Sequence, residues 1–439
     1  MRIAATRLPG ETRAALIGDD GEVLELRLFR GTPKTAPGAV WRGRTMGTVA
    51  SARAVLVDLG GARPALLPLA DWPEDAPPAE GAPVLVTIEA MARAEKGPRV
   101  SGLVRLVMPR LILSPFRPGV SVSHRLEGEP ARTWRRWAED GAAPGEGWVV
   151  RGAAAHASPE RLERERARLR RAWTEIRAAL AAGGPPACLA EAPDPLAEWL
   201  ADLTPAEVAA SAGPLALAAR AALADSVPVL ASLADPFAEA GGEDALAHAL
   251  SPLVPLPCGG RMAIQPTRAF WAVDVDAGPA APAQANEQAI AALAREIRLR
   301  NLGGAVVIDP IPETRRGGTS TARRLLARLR ELTAGDSRMQ ESAVTPLGHI
   351  ELIRSRAGAA IAEIVQGDGL GEGDADAETA ALAALAQVVK DAREMPGGEA
   401  PRLAVGPRLA GWLDGPGRDA LAEAEAALGH AIARRIAAG

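Results

Sequence analysis

A chain of 439 residues, 48% hydrophobic and 24% charged, has the balance of a soluble globular protein and room for roughly two to four domains. Its formal net charge is −4, and the two cysteines, Cys188 and Cys258, with five scattered histidines give neither a disulfide framework nor a zinc site. No apolar run reaches the roughly 18 residues of a membrane span, and Met1 to Arg7 lack a secretory signal's apolar stretch, so a cytoplasmic chain with reduced thiols is expected.

Residues 1–30 read as a β-hairpin, with apolar runs at residues 13–18 and 23–28 on either side of the turn signal Asp19-Asp20-Gly21. Residues 36–107 read as a small β-barrel of short strands near residues 40–45, 54–58, 65–69 and 83–88, separated by Gly or Pro. From Arg30 to Arg125 there are 13 Lys/Arg and 7 Asp/Glu, a local net of +6, so the overall acidity hides a basic N-terminal third. Residues 158–183 predict a charged helix, capped by Ser158 with Pro159 at its first position. Residues 195–250 read as helical and Ala-rich. A Gly/Asp linker, residues 367–376, precedes a small C-terminal α/β unit, and no fixed repeat period is present.

The most informative stretch is residues 259–309. An apolar run, Arg261 to Ile264, turns near Pro266 into a second run, Phe270 to Asp276. A helix follows, with its cap expected at Asn286, its apolar residues Ile290, Leu293 and Ile297 at i, i+3 and i+7, and its stop at Leu302-Gly303-Gly304. Ala305 to Asp309 is then a buried strand ended by Pro310. Strand, helix and strand make a parallel crossover, whose strands end on one edge of the sheet, where open α/β sheets place ligands. Asp274 and Asp309 occupy those two ends, and Asp276 shares a face with Asp274 if the strand continues. Close carboxylates repel unless a proton or a cation joins them, and oxygen-only donors suit Mg²⁺ or Mn²⁺. A strand-end aspartate is also ordinary turn chemistry; the pairing on one crossover is what favours a metal. Arginines accompany this segment, and Arg298, Arg300 and Arg315 are the candidate phosphate contacts beside such a metal.

The run Arg295-Glu296-Ile297-Arg298-Leu299-Arg300-Asn301-Leu302-Gly303-Gly304-Ala305-Val306-Val307-Ile308-Asp309 resembles the catalytic core of the ribonuclease E/G family. Pro257-Cys258-Gly259-Gly260 and Ala272 to Asp276 resemble that family's preceding hairpin. Val40 to Arg44, Val57 to Gly60 and Leu67 to Leu69 are similar to its S1 barrel. Val120 to Gly128 and Gly147 to Arg151 are similar to its 5′-end-sensing region, and Leu347 to Arg356 continue the likeness, collinear over roughly residues 1–360.

This resemblance implies an α/β and α+β multidomain fold. It comprises a ribonuclease-H-like domain (residues 1–35 and 191–250), an inserted S1 (OB-fold) barrel (36–107) and a 5′-sensor region (108–190). A DNase-I-like catalytic domain (251–366), the linker and a small C-terminal domain (377–439) follow. It implies a single-strand-preferring endoribonuclease of RNA processing or decay, with Asp274 and Asp309 as catalytic Mg²⁺ ligands and Mn²⁺ as a substitute; Asp276, on the strand face of Asp274, is a further candidate ligand from its position alone. The products would carry 5′-phosphate and 3′-hydroxyl ends. Arg42, Arg44, Lys96, Arg99 and Arg151 are the candidate RNA contacts.

The chain departs from the family pattern at several positions. Asp276 stands for Asn, Pro312 for a second Asp and Gly152 for a Thr beside Arg151. The segment Ala277 to Ala285 has no Arg or Lys, and Leu56 and Leu66 replace two phenylalanines that stack bases. The Cys-x-x-Cys link after Arg356 is missing, so a zinc-linked tetramer and zinc itself are not expected, while a homodimer is compatible. The alternative reading is a non-catalytic RNA-binding relative whose site has drifted.

Overall fold

The computed structural model describes the chain except residues 32–33, 62, 75, 77, 91–96, 202, 212, 225, 314–317, 357, 368–374, 395–401 and 437–439. It is a mixed α/β multidomain protein with two compact units, residues 1–30, 209–211 and 232–439 in one and residues 31–208 and 212–231 in the other. Most of the expected linker at 367–376 lies outside the described residues.

In the first unit the expected hairpin is a three-stranded antiparallel arrangement. Glu11–Ile17 lies between Arg2–Leu8 and Val23–Arg30. Gly21 supplies the positive φ of the turn, +87°. The extra strand Arg2–Leu8 is rich in alanine, a weak strand former; it forms because Ala4 and Ala5 are buried in register with Ala15 and Ala14.

The same unit holds a six-stranded sheet in the order Leu253–Pro255, Arg261–Pro266, Phe270–Asp276, Gly304–Asp309, Ile350–Arg354, Met339–Val344. Phe270–Asp276 and Gly304–Asp309 are parallel and every other neighbouring pair is antiparallel. Alternate residues Trp271, Val273 and Val275, with Val306 and Ile308, are buried against Ile290, Leu293 and Ile297 of helix Pro282–Leu299 and Leu325 and Leu329 of helix Gly318–Leu332. The period of two on the strands and of 3.6 on the helices sends one apolar face of each inward. Ala272, Asp274 and Asp276 alternate onto the other face.

The crossover helix differs from expectation at both ends. It starts at Pro282, whose fixed φ and missing N–H suit the first helical position, so Asn286 is an interior residue and not the cap. It ends with Asn301, not a glycine, in the left-handed conformation (φ +54°), while Leu302 N donates to Ile297 O at 2.9 Å. Gly303 instead permits close approach: a Cβ there would stand 3.0 Å from Arg356 Cα.

The Ala-rich region 195–250 is not continuously helical. Strands Glu207–Ser211 and Val229–Ser232 interrupt short helices. Val208 and Ala210 are buried at period two, and burial overrides the helix preference of alanine. The C-terminal part has helix Ala375–Glu394, two further helices and two parallel strands, Arg402–Val405 and Ala433–Ile436.

In the second unit, strands Val40–Val49, Ala54–Asp58, Ala65–Pro68, Arg99–Ser101 and Pro83–Ala90 form a closed five-stranded barrel. The pairing of Val40–Val49 with Pro83–Ala90 closes it around Val55, Val57, Leu67, Val84, Val86 and Val100. The three-residue strand Arg99–Ser101 was not anticipated, being too short to show alternation. A four-stranded sheet follows, including Leu111–Ser114 and Gly147–Val150. Helix Pro159–Ala181 buries Leu162, Leu169 and Ile176 with Trp134 and Trp148. Ser158 Oγ caps this helix by accepting from Arg161 N, as expected. Arg110, 1% exposed, donates to Glu165 Oε1 at 2.8 Å and to the carbonyls of Ala221, Ala222 and Leu223, neutralising the C-terminal end of helix Pro214–Ala222. Among the described residues no helix is long and apolar enough to cross a membrane.

Candidate active site

Asp274 and Asp309 are register partners on the two parallel strands. Register partners in a parallel sheet present their side chains on one face, so both carboxylates leave the exposed face side by side. Pro310 cannot donate to a ladder, which ends the strand at Asp309. The Asp309 side chain is 65% exposed, and the Asp274 carboxylate has no hydrogen-bond or ion-pair partner among the described residues.

His349 joins this pair. The strand that follows it, Ile350–Arg354, runs antiparallel beside Gly304–Asp309 with Ile350 opposite Ile308, which brings His349 alongside Asp309. His349 Nε2 stands 3.5 Å from Asp309 Oδ1. Gly348 makes the preceding turn possible with φ +96°, where a Cβ would meet the Gly318 backbone carbon at 3.1 Å. His349 was not anticipated as a site residue. It lies far along the chain from Asp309, and no local spacing reveals which strand pairs there.

Asp276 shares the face of Asp274 but does not complete a three-carboxylate site. Two residues of extended strand carry it roughly 6–7 Å further on, past the end of Gly304–Asp309. It pairs there with Arg261 at 2.9 Å. The Gly278 N–H at 3.0 Å, aided by Arg261, holds its carboxyl below the usual range. Among the described residues no three His, Cys, Asp or Glu side chains gather into a metal cage. The remaining donor set, two exposed carboxylates on adjacent strands, fits Mg²⁺, which uses one or two carboxylates and keeps several waters.

The candidate phosphate arginines are placed elsewhere. The crossover helix runs back from the aspartate edge, so Arg298 and Arg300 finish at the edge where Gly304–Asp309 begins. Arg300 is buried; its Nε donates to Glu296 Oε2 at 2.5 Å and its Nη1 to Ser251 O at 2.6 Å. Arg298 pairs with Glu25 at 3.1 Å. The structure thus places both guanidinium groups on partners within the chain, Arg300 buried and Arg298 partly exposed, at the edge opposite the aspartates. Arg315 and Lys96 lie outside the described residues.

On the barrel, Arg42 is also structural: it is buried, and donates to Pro185 O at 3.0 Å and Ala179 O at 2.8 Å near the end of helix Pro159–Ala181. Arg44 is exposed and donates to Gly81 O at 3.0 Å. Arg99 is 56% exposed between Asp71 and Glu89. Leu56 and Leu66 are half-buried cross-strand partners, and Leu66 is in register with Arg99. Arg151 donates to Met108 O at 3.1 Å and to Glu198 at 2.7 Å. A Cβ at Gly152 would touch Arg125 at 3.4 Å.

This sheet, with its paired strand-end aspartates, falls inside the stretch that matches a known family. Residues 108–357 match the Ribonuclease E/G family, and the chain belongs to it. It is 29% identical to Ribonuclease E of Nostoc sp. over 315 residues, which is 64% of this chain and 44% of that protein. It is 24% identical to Ribonuclease E of Escherichia coli, covering 80% of this chain and 36% of that protein. With Ribonuclease G of Salmonella typhimurium the identity is 25%, over 79% of this chain and 78% of that protein. The chain thus spans less than half the length of these two ribonuclease E relatives.

Proposed function

We propose that this chain is an endoribonuclease that hydrolyses phosphodiester bonds in single-stranded RNA, with Mg²⁺ or Mn²⁺ held by Asp274 and Asp309. The observation that carries this reading is the in-register pairing of the two carboxylates on one exposed sheet face. The names of the relatives, Ribonuclease E and Ribonuclease G, support the substrate class. On the same reading the barrel is an S1 (OB-fold) module, the six-stranded sheet a DNase-I-like catalytic domain and the N-terminal sheet part of a ribonuclease-H-like domain. The enzyme acts in cytoplasmic RNA processing or decay, without a zinc-linked tetramer; a homodimer is compatible with this reading.

Asp274 and Asp309 fix two negative charges at one point on a solvent-facing surface that a flexible strand can approach. Bound there, the divalent ion supplies Lewis-acid charge at a phosphoryl oxygen and lowers the pKa of water. His349 flanks the same point and narrows the approach of the phosphate from the Asp309 side. Hydrolysis joins the water oxygen to phosphorus and breaks the P–O3′ bond, leaving a 5′-phosphate and a 3′-hydroxyl.

The test is cleavage of a labelled AU-rich single-stranded RNA with and without Mg²⁺, by the wild type and by Asp274→Asn and Asp309→Asn. Both variants keep the fold and lose Mg²⁺-dependent cleavage. Full cleavage by both contradicts the proposal, and RNA binding without any cleavage by the wild type identifies a non-catalytic relative instead. A duplicate DNA substrate separates a deoxyribonuclease.

A further inference from the structure

Asn286, expected as a helix cap, is 1% exposed inside helix Pro282–Leu299. A buried carboxamide costs several kcal/mol unless its polar atoms find partners. Here its side-chain hydrogen bonds go to one loop. Oδ1 accepts from Ile311 N at 3.0 Å, and Nδ2 donates to Ile311 O at 2.8 Å and to Glu313 Oε1 at 3.2 Å. Both backbone groups of Ile311 are therefore held as a neighbouring strand would hold them. Ile311 is two residues past Asp309, and the intervening Pro310 has no N–H with which to prolong the ladder. The helix's other buried polar residue, Glu296, lies towards the opposite end and holds Arg300, with the apolar Ala289, Ile290 and Leu293 between, so Asn286 is the polar anchor at the aspartate edge. Glu313 extends the clasp outward, accepting from Arg324 Nη2 at 2.6 Å, and Arg324 also pairs with Glu287, the helix neighbour of Asn286.

We infer that Asn286 is a positioning residue: its clasp on Ile311 fixes the path of the chain leaving Asp309, and so sets the Asp309 carboxylate against that of Asp274. This rests on the reading of the two aspartates as the metal-holding pair. Without the clasp, the loop after Pro310 swings, Asp309 loses its fixed exit angle, and the two carboxylates no longer share one point.

The test uses the full chain, with Mn²⁺ binding followed by electron paramagnetic resonance and RNA cleavage measured in Mg²⁺. Partners that orient a metal ligand typically contribute 10–100-fold to affinity or activity, so Asn286→Ala weakens Mn²⁺ binding by about tenfold or more. It lowers kcat to a similar extent and leaves KM for RNA unchanged. Arg324→Ala, at the exposed end of the clasp, keeps the core intact and shows a smaller loss in the same two readouts. Mn²⁺ binding and kcat per folded molecule within twofold of wild type for both variants overturn the inference. Undiminished Mn²⁺ binding by Asp309→Asn instead overturns the carboxylate pair itself, which separates the two failures.

Discussion

Asp274, Asp276 and Asp309 are chemically alike and differ only in surroundings. Asp274 and Asp309 stand side by side on adjacent strands, whereas Asp276 runs beyond the parallel partner and meets Arg261 and the Gly278 N–H. Asp276 therefore stays ionised to lower pH than a free aspartate. In Arg261→Ala its titration midpoint, followed by carbon NMR, rises only part of the way to the ordinary value, because the Gly278 N–H hydrogen bond remains; an unmoved midpoint contradicts this. Leu56 and Leu66 make a second residue-scale case. They offer an apolar outward face and no aromatic ring. Base–aromatic stacking is worth roughly 1–3 kcal/mol per base, so Leu56→Phe tightens single-stranded RNA binding severalfold in fluorescence anisotropy. Unchanged affinity places the RNA path away from this face.

At the scale of elements, the crossover was legible because its signals are local: alternation on Phe270–Asp276, a helical apolar stripe at Ile290, Leu293 and Ile297, and a proline after Asp309. What local pattern could not show was the partner of each polar side chain. Arg42 and Arg300 look like free cations in sequence, yet each is buried against main-chain carbonyls supplied from distant segments. Glu146 shows how such partners set stability. Burial pushes its carboxyl up, but Arg170, the Ala143 N–H and the Trp148 indole N–H outweigh that and lower it to about 2. A carboxyl with a depressed folded-state pKa stabilises above its unfolded pKa, near 4.3, and loses that contribution as pH falls through the folded value. Glu146→Gln therefore lowers stability by about 1–3 kcal/mol at pH 7 in urea denaturation. The gap from wild type closes between about pH 4.5 and pH 2. A gap independent of pH across that range rules out this network as its source.

Across the whole molecule, composition hides as much as it reveals. The net charge of −4 coexists with a local net of +6 between Arg30 and Arg125, but several of those arginines are committed to carboxylates or carbonyls. The abundance of alanine conceals the strands Arg2–Leu8 and Glu207–Ser211, whose formation depends on what buries them. The barrel and the aspartate pair were readable; His349 and the clasp of Asn286 on Ile311 were not, because both arise from segments brought together only by sheet order and helix packing. The most direct test of the central claim is the rate of single-stranded RNA cleavage in Mg²⁺ by wild type and Asp309→Asn, with product ends analysed. The account predicts cleavage by the wild type that stops on chelation, products with 5′-phosphates, and loss of that activity in a folded Asp309→Asn variant. Cleavage by Asp309→Asn at the wild-type rate contradicts it.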